Sequence, residues 1–77
     1  MNLQDFVLKF AAQFENTDES EFTADTRFRE ISEWDSLIAL SIIAMIDEEY
    51  DVTLMGDDIR QSATVGDLFR IVEAQKK

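Results

Sequence analysis

The strongest constraint on the fold is the spacing of apolar residues near the N-terminus. Leu3, Phe6, Val7, Phe10, Ala11 and Phe14 fall at i, i+3, i+4, i+7, i+8 and i+11, which is one face of an amphipathic helix. Such a helix must lay that face against a partner. No other segment alternates as a half-buried strand does, so the partners are expected to be helices as well. The first helix is expected to run out near Glu15-Asn16.

From Thr17 to Asp35 no period is sustained, and Phe22, Phe28 and Ile31 punctuate the stretch. It reads as a long crossing loop pinned by those three residues, of the kind that is often functional. A second helix is expected from Asp35-Ser36 to Tyr50, with Asp35 as N-cap. Its main stripe reads as Leu37, Leu40, Ile43, Ala44 and Ile46, widened by Ile38, Ile42 and Met45. Gly56 to Arg60 reads as one short helical turn. Thr64, with Asp67 three residues on, resembles a capping box that opens a last helix with Val65, Leu68, Phe69 and Val72 inward. The expectation is an all-α, four-helix bundle with a long first loop and a short third helix, residues 1–77 forming one domain.

Residue types missing from the chain limit its chemistry. Among its 77 residues there is no cysteine and no histidine, so it has no thiol nucleophile, no disulfide and no imidazole base or zinc ligand. A catalytic triad cannot be assembled from it, and no enzymatic activity is expected. A net charge of −10 argues against nucleic acid, whose phosphates need Lys and Arg, and favours partners with basic patches. The longest apolar run, Leu37 to Met45, is interrupted by Ser41 and too short to span a bilayer. Met-Asn-Leu-Gln-Asp at the start has neither a basic n-region nor an apolar h-region, so it is not expected to act as a signal peptide. A cytoplasmic monomer is expected.

Glu33-Trp34-Asp35-Ser36-Leu37 sits where the long loop meets the second helix. That junction places the Ser36 hydroxyl at a helix start, where a phosphate group would meet unpaired backbone N–H groups and the positive end of the helix dipole. Taken alone, Asp-Ser at a helix start is usually just a cap followed by a first-turn residue. The context is more specific. Asp-Ser-Leu lies about halfway along an acidic chain of this length. It follows an amphipathic helix and a long loop, and precedes Asp47-Glu48-Glu49-Tyr50, a short third helix and Thr64-Val65-Gly66-Asp67-Leu68.

In that arrangement, over nearly the whole chain, the sequence resembles the acyl carrier protein family. The resemblance implies that Ser36 receives a 4′-phosphopantetheine arm from coenzyme A through a separate phosphopantetheinyl transferase. It further implies that the arm's thiol holds acyl cargo as a thioester for fatty-acid or specialised polyketide and lipid synthesis. Asp35 would cap the helix and help the transferase recognise the site, and Leu37, next to the attachment point, would contact partners beside the arm together with Ile38. An aminoacyl cargo, as in peptidyl or D-alanyl carriers, is an alternative, and so is an unmodified acidic helical adaptor. Implied partners beyond the transferase are acyl ligases, ketosynthases or acyltransferase-type enzymes with basic patches.

Six carboxylates lie between Asp47 and Asp58 with no basic residue among them. They read either as a solvated face that aids solubility or as a docking surface, with Asp47, Glu48, Glu49 and Asp51 its candidates. Asp47, Glu49 and Asp51 have the opening spacing of a calcium loop, but Val52 occupies the place of the required glycine, so no metal site is expected. Many fatty-acid carriers of the family bear acidic residues two and five places after the modified serine. Here those places hold Ile38 and Ser41, which points to altered partner choice. Ile38 reads equally as an exposed contact or as packing against the first loop. Trp34 replaces the small residues common before the motif and is expected to pack over the loop. By the resemblance, Leu40, Ile43, Ala44, Ile46, Ile59, Leu68 and Ile71 would line a space for the acyl chain.

Overall fold

The computed structural model describes residues 1–76; Lys77, the last residue of the expected domain, lies outside the described residues. Four α-helices and no strand are found among them: α1 (Leu3–Ala11), α2 (Ser36–Tyr50), α3 (Gly56–Arg60) and α4 (Val65–Gln75). Two 3₁₀ turns, Glu19–Glu21 and Phe28–Glu30, break the long first connection.

Helix α1 opens on Asn2, whose side chain accepts from the Asp5 N–H. It ends at Ala11, earlier than its period suggests. The N–H groups of Gln13 and Phe14 reach back only three residues, to the carbonyls of Phe10 and Ala11, so the last turn tightens. Phe14 nevertheless stays in the core. Around Phe10 the aromatic rings knit α1 to the loop. Phe28 meets Phe10 edge-on at 5.3 Å, and Phe22 lies 4.9 Å from Phe14. Such pairs add about 0.5–1.5 kcal/mol each beyond the area they bury. They hold down a loop that has no regular structure long enough to hold itself.

The loop is also tied to the start of α4. Val65 and Gly66 donate to the carbonyls of Thr26 and Ala24 at 3.1 and 2.8 Å. Arg29 donates to the Ser62 carbonyl at 2.9 Å.

Helix α2 is turned differently from the expected stripe. Ile42, Met45, Ile46 and Tyr50 are its buried residues, while Leu37 and Leu40 are 71% and 62% exposed and Ala44 is exposed. Apolar residues lie nearly all round this helix, so their spacing does not fix its rotation; packing against α1 and the core does. The helix ends on Asp51 in the left-handed region (φ 57°), a conformation Asp tolerates better than most residues. Val52 and Leu54 bury the following connection, and Ile59 anchors α3. Helix α4 matches expectation. Thr64 Oγ accepts from the Asp67 N–H, Asp67 accepts from the Thr64 N–H, and Val65, Leu68, Phe69 and Val72 are buried.

Candidate functional site

The site is built where α2 begins. Asp35 has extended backbone, and its carboxylate accepts from the Ile38 N–H at 2.8 Å. That cap starts the helix on Ser36, whose side chain is exposed. The first-turn N–H groups of Ser36 and Leu37 have no carbonyl four residues back within the helix to bond. A phosphodiester on Ser36 would find those two donors and the positive end of a 15-residue helix beside it. The exposed hydroxyl leaves it room, so the residues present fit such a group.

What fixes this helix start against the rest of the molecule is Glu33, a residue the sequence reading did not single out. Its two oxygens accept from the N–H groups of Glu15 (2.7 Å) and Asn16 (3.0 Å) and from the Thr17 hydroxyl (2.8 Å). The end of α1 is thereby clamped to the approach to α2. Partial burial alone would push the Glu33 carboxyl up, but the hydrogen bonds from Thr17, Glu15 and Asn16 outweigh it and hold the carboxyl below its ordinary value. Trp34, next along, stacks on Phe14 at 6.4 Å and meets Phe28 edge-on at 5.0 Å. The two residues before Asp35 thus anchor the motif, one through charge and one through packing.

Ile38 is half-buried and packs against the core, which favours its packing role. Ser41, Asp47, Glu48, Glu49 and Asp51 are exposed along α2 and its cap. The acidic face is not free of cations in space, although it is in sequence. Lys9 reaches across from α1 to Glu49 at 3.2 Å while also pairing with Asp5 at 3.1 Å. Those two carboxylates raise the Lys9 pKa above the ordinary lysine value. No cluster of carboxylates able to hold a metal occurs among the described residues.

Of the seven residues expected to line a space for cargo, Ile46, Ile59 and Leu68 are buried in the core, and Ile43 and Ile71 pack on its margin. Leu40 and Ala44 do not belong with them. Both are exposed, because the rotation of α2 turns them to solvent.

The start of α2 thus presents an exposed serine behind a capping carboxylate, with exposed carboxylates further along the same helix. The phosphopantetheine attachment site family matches residues 5–72. The chain is 31% identical over 58 residues to an acyl carrier protein of Exiguobacterium sp., covering 75% of this chain and 73% of that protein. It is 29% identical over 70 residues to acyl carrier proteins of Rickettsia massiliae and Rickettsia africae, covering 91% of this chain and 81% of each. No solved structure matches. The chain belongs to the acyl carrier protein family, whose members are not enzymes and bear a covalent 4′-phosphopantetheine group.

Proposed function

We propose that Ser36 is the attachment point of the prosthetic group and that the chain carries acyl intermediates between enzymes of fatty-acid or related lipid synthesis. The observation that carries this reading is the exposed Ser36 hydroxyl at the first position of a capped helix, inside the matched residues 5–72. During attachment the Ser36 oxygen forms a bond to the β-phosphorus of coenzyme A's pantetheine phosphate. The phosphoanhydride bond to adenosine 3′,5′-bisphosphate breaks, and the serine proton passes to a base on the transferase. Once bound, the arm supplies a terminal thiol that holds the acyl group as a thioester, which this cysteine-free chain could not otherwise form.

Asp35 contributes by fixing the helix start, and Leu37, fully outside the core beside Ser36, offers the transferase an apolar contact. Asp47, Glu48 and Asp51, which have no ion-pair partner among the described residues, present their charge to basic partner surfaces. Glu49 contributes less, since Lys9 already answers it. With Ile38 and Ser41 at the places where many fatty-acid carriers are acidic, docking near the arm relies more on shape and apolar contact than on charge. Partner binding of this kind is brief and sequential.

Incubation with coenzyme A and a broad-specificity phosphopantetheinyl transferase tests the assignment by intact-protein mass. The wild type is expected to gain one phosphopantetheine and Ser36→Ala none. A gain in the Ser36→Ala variant would move the attachment point elsewhere.

A further inference from the structure

We propose that the open surface concavity along the first loop holds the middle of the prosthetic arm, its hydroxyl and two amides, when the arm folds back from its attachment point. The inference rests on attachment at Ser36. The concavity has a volume of about 600 Å³, and Asn16, Thr17, Thr26, Arg27, Ile31 and Ser32 are among its walls. That is the size range of small-molecule pockets.

Three observations join it to the arm. The first is position. The Trp34 N–H bonds the Ile31 carbonyl at 3.0 Å, so Ile31 and Ser32, which line the concavity, lie in a turn that leads directly into the motif. Ser32 and Ser36 are four residues apart, at most ~14 Å along even an extended chain. The second is order. Glu33 holds Glu15, Asn16 and Thr17 in place, so the part of the lining that Asn16 and Thr17 supply is tied to the residue two places before Asp35.

The third is chemistry. Asn16 joins the Glu33 clamp through its backbone N–H, which leaves its side-chain amide available to both an amide carbonyl and an amide N–H. The Arg27 guanidinium meets Glu30 only at 3.6 Å, with both side chains largely exposed, a pairing that a ligand carbonyl can displace at little cost. Ser32 is exposed and Ile31 half-buried, so the wall offers a hydroxyl beside an apolar patch suited to the arm's paired methyl groups. The alternative berth, the core, has Phe6, Phe10, Ile42, Ile46 and Leu68 fully buried and would leave the amides without partners.

Heteronuclear NMR of the apo and phosphopantetheinylated protein tests this, with intact mass establishing modification first. The expected result is amide shift changes at Asn16, Thr17, Arg27 and Ser32 as well as at residues 35–38, with Overhauser contacts from the arm's methyl groups to Ile31. An Asn16→Ala/Arg27→Ala variant is expected to fold, as judged by unchanged core shifts, to accept the arm, and to lose those contacts. Modification with shift changes confined to residues 35–41 would overturn the loop site and leave attachment at Ser36 standing. No mass gain, with a transferase active on a control carrier, would overturn both.

Discussion

A carboxylate that accepts from two backbone N–H groups and a hydroxyl stays ionised below the pH at which a free glutamate protonates. Glu33 is in that position. Its folded-state pKa is depressed, so the stability it contributes is present above the unfolded value, about 4.3, and is lost as pH falls through the folded value. Glu33→Gln keeps the shape but removes the charge. The variant is expected to melt below the wild type at pH 7, with the gap closing as pH drops below about 4.3. A gap that stays constant to pH 3 in paired thermal melts would show that the clamp does not act through its charge. Tyr50 is the opposite case. Its hydroxyl is buried without a partner among the described residues, and burial pushes its pKa up. An unsatisfied buried group of this kind costs about 1–3 kcal/mol, so Tyr50→Phe is expected to leave stability unchanged or raise it by about 1 kcal/mol in urea unfolding. A loss of that size instead would reveal a partner such as a buried water. Asp35 and the Thr64–Asp67 box were legible because both partners of each bond lie within one turn. Glu33 was not, because its partners lie 16 to 18 residues away and nothing local marks it.

At the scale of elements, α1 and α4 could be placed and oriented from their spacing because each has one apolar and one polar face. Helix α2 could be placed but not oriented. Its cap and its end are local signals, while Leu37, Ile38, Leu40, Ile42, Ile43 and Met45 leave no polar face to set its rotation, and Leu37 and Leu40 came out facing solvent. The early end of α1 was hidden for a related reason. The i+11 position of Phe14 satisfies both a continued helix and a tightened turn, and Glu33 draws the next three residues away. Contact between elements also decides the role of Gly66. An alanine within a helix is ordinarily favoured over glycine by about 1 kcal/mol. Here a Cβ at Gly66 would sit 3.0 Å from the Ala24 carbonyl oxygen, the acceptor of the Gly66 N–H. The close approach sets the first loop against α4, so Gly66→Ala is expected to lower the melting temperature despite its better propensity. A rise would mean that the loop yields freely at Ala24.

For the molecule as a whole, charge is distributed so that the six basic residues among the described residues are already committed. Seven basic residues face seventeen acidic ones. Lys9 pairs with Asp5 and Glu49, Arg27 with Glu30, Arg60 with Asp57 and Arg70 with Asp67. Arg29 and Lys76 donate to the backbone carbonyls of Ser62 and Tyr50. Most of the carboxylates therefore repel one another across a body whose radius of gyration is 11.1 Å. At about 0.01 M salt the screening length is ~30 Å, so these charges act on each other over the whole molecule; at about 0.15 M it is ~8 Å, shorter than the molecule's own radius. The exposed ion pairs that salt also weakens are each worth only ~0–1 kcal/mol, too little to reverse the gain from screened repulsion. Stability is therefore expected to rise with ionic strength. A gain of about 1 kcal/mol corresponds to a melting temperature roughly 4–8 °C higher in a chain of this size. Thermal melts in potassium chloride and in tetramethylammonium chloride separate screening from specific cation binding. Equal increases in the two salts are the expected result, and a melting temperature that is flat or falls with either salt would show that the ion pairs outweigh the repulsion.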